Sequence, residues 1–553
     1  MLKTQNNNQL VQKIAGIIVA LSITALVIDR GGYYPLVTYI CAAVVIVAFI
    51  AFSIITKKFQ LSLGAIILSF MSIFYLISSL INGLTLTSLI YVCIMFCLVA
   101  FALLISVLDE DAKVFTVKIL TIIGIISAVF GIILMTGLIP IKEFFEGNRL
   151  AFTFEYSNAA GIWFAIVAAM CWMTENFKFR LASLLPLIAL LLTQSMGAIL
   201  VTLVVAIYFA VVWFKDEEHS KQMNILAIIA LCLCVIAGIV LCVVLNERIA
   251  QASQTFIERI IQVLDSFGLL LTHPFGIGAN MWQYTYPYIQ TAQYTAANVH
   301  CSYAQILLDG GIIAFLLFVV YCVYSLVLAW KSKNIFCFVC ASMILLHSLV
   351  DFDLNFTAIF VLLILFLEPI EFSAPKFKIS GKAIKCINYA MSVVVLIACV
   401  LGIFFYTQQL DSENIYDRVE QGEVPKSISE LPPYMSRDPY IKNLYISALS
   451  VSDKKEEAAY YDEQISAANQ ALFKGLALAK CDKKSEAVRV VTDELMRQPY
   501  NLQFYKDAAN FINSIGVSLS RKAQYNKAAK YANSLIHEGR AAWLNNQKEI
   551  ELL

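Results

Sequence analysis

Long apolar runs separated by short polar breaks dominate the first 410 residues of the chain. A helix needs about 20 apolar residues to cross the hydrocarbon of a bilayer, so each run predicts a transmembrane helix. The predicted spans lie near residues 14–28, 36–56, 61–81, 87–107, 116–138, 158–174, 181–194, 197–214, 224–245, 303–329, 335–350, 356–372 and 387–407. The seventh and eighth share one apolar stretch broken at Thr193-Gln194-Ser195-Met196-Gly197, where one long tilted helix is the alternative. The pattern predicts an all-α fold with a polytopic bundle of about 12–13 transmembrane helices.

Lysine and arginine residues are concentrated at alternate breaks between the predicted spans. If the N-terminus is cytoplasmic, the inside breaks contain Lys57-Lys58, Lys113 and Lys118, Lys178 and Arg180, Lys215 and Lys221, Lys331 and Lys333, and the run from Lys376 to Lys385. The outside breaks at 82–83 and 351–355 contain no basic residue. Because cytoplasmic loops are enriched in Lys and Arg, this asymmetry favours a hairpin over 181–214. It also predicts a cytoplasmic N-terminus and an extracytoplasmic C-terminal region.

The character of the chain changes at Asp411, where charged residues become frequent. The predicted organisation is an N-terminal transmembrane bundle over 1–245, a large extracytoplasmic loop over 246–302, C-terminal transmembrane helices over 303–410 and a soluble helical tail over 411–553. Within the tail, apolar positions on both sides of Pro499-Tyr500-Asn501 predict two helices joined by a turn. Such pairs are typical of tetratricopeptide repeats, whose period is about 34 residues; a generic helical domain is the alternative. The tail could select an acceptor or bind protein partners.

The composition agrees with a membrane protein, since 60% of the residues are hydrophobic and 14% are charged. The mean hydropathy is +0.75. A net charge of +1 provides no basic surface for nucleic acid, so no nucleic-acid partner is expected. Most of the 14 cysteines lie in apolar runs, where they behave as small hydrophobic side chains rather than as a disulfide framework.

Two polar clusters lie at the predicted outside breaks before the tenth span, and charged groups near a membrane are often functional. Arg149 could bind phosphate through its planar fork of donors, although an ion pair with Glu146 is the alternative. Arg259 and Asp265 precede the turn His273-Pro274-Phe275-Gly276-Ile277-Gly278. Its backbone amides could hold an anion; a purely structural pre-proline histidine is the alternative.

Two further polar clusters flank the next spans. His300 lies just before the tenth span, and a helix there would place it on one face with Tyr303. A histidine side chain ordinarily titrates near neutrality, which suits a general base, although a satisfied interfacial histidine is the alternative. Asp351 and Asp353 follow His347, and carboxylates two positions apart do not share a helix face. They are expected to line an irregular turn or to end the helix. Metal binding by His347 and Asp351, an i, i+4 pair, is the alternative, but with no third ligand no metal site is predicted.

The motifs follow one another in a specific order through the large loop and its flanking spans. They are Arg259, Asp265, His273-Pro274-x-Gly276-x-Gly278, His300-x-Ser302-Tyr303-x-Gln305, Gly311-Ile312-Ile313 and His347-Ser348-x-x-Asp351-Phe352-Asp353. Over about residues 1–410, this order and spacing resemble the O-antigen ligase and O-antigen polymerase family of bacterial membrane glycosyltransferases. Arg149 with Phe154 and Ser157-Asn158 is similar to an earlier arginine segment of that family.

The resemblance implies an enzyme of the bacterial cytoplasmic membrane that moves a glycan from undecaprenyl pyrophosphate to an acceptor hydroxyl on a glycan or lipid. It implies no cofactor and no metal. By the same resemblance, His300 is the general base, and Arg149 and Arg259 hold the pyrophosphate. The supporting residues would be Tyr303, Gln305, Asp351 and Asp353. A ligase and a polymerase share this donor and differ only in the acceptor, so the two stay open.

Two positions depart from the family pattern. Met196 stands in Ser195-Met196-Gly197 where the family commonly has Ser-Arg-Gly, and Cys301 stands where an asparagine is usual. Arg149 or Arg248 could supply the missing positive charge, or the substrate could differ. A flippase is the second hypothesis, although transporters usually place ionisable groups near mid-span or in broken helices. A non-catalytic membrane scaffold is the third, because of Met196.

Overall fold

The computed structural model describes residues 2–174, 176–215, 246–368, 380–461, 468–516 and 519–553. Within these ranges the chain is helical almost throughout, and a single pair of two-residue strands interrupts it. The helices of the first half are Leu2–Ile28 (α1), Pro35–Thr56 (α2), Leu63–Ile81 (α3), Leu86–Ser106 (α4), Glu110–Met135 (α5), Ser157–Trp172 (α6), Phe177–Ala182 (α7), Leu184–Thr193 (α8) and Met196–Lys215 (α9). The strands are Phe145–Glu146 (β1) and Arg149–Leu150 (β2). The predicted all-α class is confirmed.

The second half of the described chain continues in the same way. Its helices up to the tail are Asn246–Leu270 (α10), Trp282–Thr285 (α11), Ser302–Lys331 (α12), Ile335–His347 (α13), Thr357–Leu367 (α14) and Gly381–Glu413 (α15). The tail contains Ile415–Glu420 (α16), Pro433–Ser436 (α17), Pro439–Val451 (α18), Lys455–Ala459 (α19), Ala468–Lys480 (α20), Lys484–Arg497 (α21), Leu502–Ser514 (α22) and Leu519–Ile536 (α23). α21 and α22 are the helix pair predicted around Pro499. A tetratricopeptide repeat stays a prediction.

Seven helices in the described ranges are long and apolar enough to cross a membrane, so the chain is a multi-pass membrane protein. They are α1 from Asn8 onward, α2, α3, α4, α5, α12 and α15. α6, α13 and α14 are apolar but shorter than 18 residues. They are shorter than the hydrophobic runs predict because they border polar junctions whose backbone is not α-helical. The span predicted at 224–245 lies outside the described residues.

The apolar stretch between 181 and 214 is two helices, α8 and α9, and not one continuous helix. Gln194 separates them with a left-handed φ of 52°. Thr193 is the last residue of α8. Its carbonyl accepts a hydrogen bond from Arg149 Nε at 3.0 Å. This break agrees with the hairpin prediction and excludes the single tilted helix.

The breaks that were predicted to lie outside meet at one end of the helical bundle, called here the site end. Asn298 Nδ2 donates to Tyr33 Oη at 3.0 Å, and Asn355 Nδ2 donates to Asn298 Oδ1 at 2.7 Å. Asn82 Nδ2 donates to the Gly276 carbonyl at 3.0 Å. The large loop is therefore joined by hydrogen bonds to three separate junctions. That this end is extracytoplasmic stays a prediction from charge.

The opposite end of the bundle has its own buried polar contacts. Lys113 Nζ donates to the Glu368 carbonyl at 2.9 Å, and Gln12 Nε2 donates to the Val107 carbonyl at 3.1 Å. These contacts join the start of α5 to the end of α14 and join α1 to the end of α4. Basic residues predicted to be cytoplasmic, such as Lys113, thus lie away from the site end.

Glycine residues bring neighbouring apolar helices close together. A Cβ atom on Gly402 of α15 would lie 2.4 Å from the Tyr39 ring of α2, and one on Gly124 of α5 would lie 2.4 Å from Val167 of α6. In a bilayer, helices associate by close van der Waals packing, because lipid tails are as apolar as the side chains. Small residues at these crossings therefore position the helices that carry the site.

Candidate active site

Asp351 is the centre of the polar cluster at the site end. It lies in the junction between α13 and α14, and its side chain is fully buried. Tyr156 Oη donates to its two carboxylate oxygens at 2.9 and 3.0 Å, and Asn158 Nδ2 donates to Oδ2 at 2.7 Å. The Phe352 amide donates to Oδ1 at 2.9 Å. A buried carboxylate is stable only when it is paired and hydrogen-bonded in this way.

The same carboxylate holds a basic residue on each side. Arg259 of α10 places Nη1 3.2 Å from Asp351 Oδ2 and also donates to the Val350 carbonyl. His300 places Nδ1 3.4 Å from Asp351 Oδ1. Burial alone would raise the pKa of Asp351, but the charge of Arg259 and the hydrogen bond from His300 lower that pKa well below its usual range. Asp351 therefore remains an anion that orients both partners.

His300 places one ring nitrogen next to Asp351, and 20% of its side chain is exposed. Its ring packs edge-on against Phe352, with centroids 5.0 Å apart, and its amide donates to Gln262 Oε1 at 3.2 Å. Among the described residues, none makes a hydrogen bond with the second ring nitrogen, Nε2. A carboxylate on Nδ1 with Nε2 open is the arrangement that orients a histidine as a base.

His300 does not share a helix face with Tyr303, because α12 begins only at Ser302. Tyr303 Oη donates to the Leu345 carbonyl at 2.9 Å and so joins α12 to α13. Gln305 accepts from the Val299 amide at 3.1 Å and donates to Asp309 Oδ1 at 2.9 Å. The predicted shared face was wrong, since the chain turns just before the helix. Gln305 helps to form that turn.

Arg149 reaches the centre through Asn158. Arg149 Nη2 donates to Asn158 Oδ1 at 2.8 Å, and the Asn158 amide nitrogen donates to Asp351. Arg149 Nη1 lies 3.5 Å from Glu146, the partner that sequence analysis considered. The β1–β2 hairpin pairs Glu146 with Arg149. Arg149, Arg259 and His300 are thus connected to one carboxylate.

The turn at 273–278 packs into a kink of α12. Gly311 in the kink has φ 78°, the Ile312 amide donates to the Pro274 carbonyl at 3.0 Å, and the Ile277 amide donates to the Leu308 carbonyl at 2.7 Å. The amides that follow donate to side chains of the protein: Gly278 to Ser78 Oγ, Ala279 to Ser79 Oγ and Asn280 to Asp309 Oδ1. These contacts favour a structural role over an anion cradle.

A family model described as O-antigen ligase matches residues 181–319. Residues 181–319 are therefore similar to the O-antigen ligase family. The matched segment contains Arg259 and His300, and the flanking chain adds Asp351 and Arg149 to the site. No curated protein and no solved structure matches the chain. The family supports a membrane glycosyltransferase of the O-antigen ligase or polymerase type, and the predicted resemblance is confirmed.

Met196, one of the two departures from the family pattern, begins α9. A Cβ atom on its neighbour Gly197 would lie 3.0 Å from the His347 ring. His347 Nδ1 lies 2.7 Å from Asp353 Oδ2, and both side chains are buried. His347 therefore pairs with Asp353 and not with Asp351, and among the described residues no group of three His, Cys, Asp or Glu side chains could hold a metal. The side chain of Arg248 lies outside those described.

Sequence reasoning did not single out two residues that complete the site. Tyr156 contacts Asp351, and Gln262 contacts the His300 backbone. Asn158, which the sequence placed in the arginine segment with Arg149, also contacts Asp351. The positions of the other two carried a signal, because Tyr156 lies in that same segment, and Gln262 lies one helical turn after Glu258 on α10. What each contacts depends on the fold.

Gly311→Ala is expected to destabilise the protein by several kcal/mol. Its positive φ alone costs about 1–3 kcal/mol for a residue with a Cβ, and that Cβ would lie 2.5 Å from the Phe275 backbone carbon. Thermal unfolding of the detergent-solubilised protein measures the change. Gly83→Ala is the matched control, since Gly83 has φ 91° with no atom within 4 Å of its Cβ position. Equal losses in the two variants would contradict the packing argument.

Proposed function

We propose that this site transfers a glycan from undecaprenyl pyrophosphate to an acceptor hydroxyl at the extracytoplasmic face of the bacterial cytoplasmic membrane. The observation that carries the proposal is the pairing of Asp351 with both His300 and Arg259, at 3.4 and 3.2 Å. One carboxylate thereby orients a base and a cation within the same site. These are the two groups that displacement of a pyrophosphate by a hydroxyl requires.

In the proposed step, His300 Nε2 takes the proton from the acceptor hydroxyl. The acceptor oxygen attacks the anomeric carbon, and the bond from that carbon to the pyrophosphate oxygen breaks. The leaving pyrophosphate takes the bonding electron pair, and the anomeric configuration inverts. Pyrophosphate leaves readily, so alignment of the two substrates and neutralisation of the developing charge would supply most of the catalysis.

Arg259 is the better placed of the two arginines for direct contact with the pyrophosphate. Its Nε is buried and has no hydrogen-bond partner among the residues that the structure describes, and a buried donor normally has one. All three guanidinium nitrogens of Arg149 face protein oxygens, and the contact to Glu146 at 3.5 Å is the longest. Glu146 is 42% exposed, so Arg149 could exchange this partner for phosphate. These contacts support Arg259 as the primary ligand of the pyrophosphate and Arg149 as a secondary one.

The transporter alternative finds less support. Arg149, Arg259, His300 and Asp351 all lie at junctions at one end of the bundle, whereas transporters commonly bind at mid-membrane. The acceptor, and with it the choice between ligase and polymerase, stays open.

Arg259→Ala is expected to lower glycan transfer by about 10²–10³-fold, the usual effect of removing one donor to developing negative charge. Arg259→Lys should retain part of the activity, because it keeps the charge but loses the fork of donors. The assay measures surface glycan and lipid-linked glycan in membranes of a host that depends on this chain. Arg437→Ala is the control, since Arg437 is exposed in the tail.

The location of the accumulated donor separates the alternatives. Lipid-linked glycan on the outer face supports transfer, and accumulation on the cytoplasmic face supports a flippase. Normal glycan in Arg259→Ala, with normal protein levels, would contradict the proposed role of Arg259.

A further inference from the structure

Asp265, a residue of the family motif, takes no part in the site described above. It lies on α10 and is buried, with 4% exposure. Its carboxylate accepts from the Thr291 amide and hydroxyl at 3.0 and 2.9 Å and from Tyr294 Oη at 2.9 Å. Its cationic partner is Arg540, which belongs to the tail.

Arg540 belongs to residues 539–548 of the tail, which we call the docking segment. Further hydrogen bonds join the docking segment to the large loop. Gln293 donates from its amide to Gln547 Oε1 at 2.8 Å and from Nε2 to the Lys548 carbonyl at 2.7 Å. The Lys548 amide donates to Gln293 Oε1 at 2.7 Å. The Asn545 amide donates to Gln254 Oε1 on α10 at 2.9 Å.

The docking segment also fills the apolar core of the loop. Ala541 and Leu544 are 1% and 4% exposed. They pack in one cluster with Ile261 of α10, Trp282 of α11 and loop residues up to Val299. The loop core therefore includes side chains from a segment more than 230 residues later in the chain.

α10 connects the docking segment to the site. Glu258, Gln262 and Asp265 follow the i, i+4, i+7 spacing of one helix face. Gln262 accepts the hydrogen bond from the His300 amide, and Arg259 lies on the same helix. A shift of α10 would therefore move Arg259 and the backbone support of His300 together.

We propose that the docking segment is a positioning element of the active site, with Arg540 acting through Asp265 to hold α10 in place. Arg540 is a positioning residue, since its contact is to Asp265 and not to the reacting groups. Loss of its charge leaves a buried carboxylate without a cationic partner, which is strongly unfavourable. The loop must then relax to hydrate Asp265, and Arg259 and His300 lose their alignment. The activity part of this inference rests on the proposed function.

The test compares Arg540→Gln, Arg540→Lys, Asp265→Asn and the double variant Asp265→Asn/Arg540→Gln in the full-length chain. Arg540→Gln is expected to lower transfer per amount of folded protein by about 10- to 100-fold, the effect of a small misplacement of catalytic groups. Arg540→Lys should restore much of it. Because Arg540 acts through Asp265, the double variant should be no worse than Arg540→Gln alone. Arg437→Gln, at an exposed arginine of the tail, is the matched control.

A second measurement does not depend on transfer. Limited proteolysis of the loop at 271–300 in membranes should be faster in Arg540→Gln than in wild type, and unchanged in His300→Ala. The positioning role would be overturned if Arg540→Gln showed the transfer activity and the proteolysis rate of wild type. It would also be overturned if the loss of transfer in the double variant equalled the product of the losses in the two single variants. If His300→Ala transfers normally, the proposed function fails, and proteolysis still decides the inference. If the Arg540→Gln protein does not accumulate in the membrane, both transfer and proteolysis are measured on the double variant, in which no buried charge is left unpaired.

Discussion

His300→Ala is expected to lower glycan transfer by about 10²–10⁴-fold, the usual contribution of a general base. The loss should be catalytic and not structural. His300 is 20% exposed, and its contact to Asp351 is 3.4 Å long, while Arg259 and Tyr156 continue to pair with the carboxylate. Protein levels and thermal unfolding should therefore stay near wild type. The measurement is transfer from lipid-linked donor in membranes that contain equal amounts of protein.

His537→Ala is the matched control for this prediction, because His537 is exposed and pairs with exposed Glu549. His300→Gln adds a comparison in which the side chain can donate a hydrogen bond to Asp351 but cannot take a proton from the acceptor. Both His300 variants should be equally inactive. Normal transfer in either one would remove the general base from the mechanism and favour the scaffold hypothesis.

Asp351→Asn is expected to lower both transfer and stability. The carboxylate accepts from Tyr156 and Asn158 and faces Arg259 and His300. Asparagine presents an amide nitrogen to partners that are themselves donors. Removing one partner from a buried ion pair costs about 3–5 kcal/mol. Transfer should fall at least as far as in His300→Ala, because Arg259 and His300 lose orientation together.

The pKa of Asp351 gives this prediction a pH dependence. A carboxyl group whose pKa is lowered by folding stabilises the protein at every pH above its unfolded pKa, near 3.9, and this contribution is lost only as pH falls through the folded pKa. The stability difference between wild type and Asp351→Asn should therefore be constant from about pH 5 to pH 8. Thermal unfolding in detergent at several pH values measures it. Asp411→Asn, at an exposed ion pair with Arg418, is the control; an Asp351→Asn variant as stable as wild type would contradict the central role of this carboxylate.

Several residues of the candidate site stand out in the sequence, but its centre could not be predicted from it. Arg259, His300 and Asp351 stand out in an apolar chain because charge near a membrane is costly. Asp351 was expected only to support the others, yet it contacts both. Asp351 is 92 positions after Arg259 (351 − 259), and helical periodicity carries no information over that distance. Only the packing of α10, α12 and α13 brings the residues together.

The transmembrane pattern predicted where helices exist better than where they end. The break at Gln194 followed from local residues and from charge asymmetry. α14 ends at Leu367, whereas the apolar run predicts a span to about 372. Hydrophobicity alone also cannot predict the kink of α12 at Gly311, where the helix packs against the turn that contains Pro274.

The kink in α12 has a consequence for building chimaeras of this chain with related chains. Gly276 and Gly311 each approach the backbone of the other's segment, with Cβ positions 2.5 Å from Leu308 and Phe275 atoms. The turn at 273–278 and the first turns of α12 therefore have complementary shapes, and each requires the other. A graft that exchanges the turn without the first turns of α12 would place mismatched side chains in this contact. A graft of the turn should therefore take residues 273–311 from one protein, so that Gly276 and Gly311 keep their matched partners.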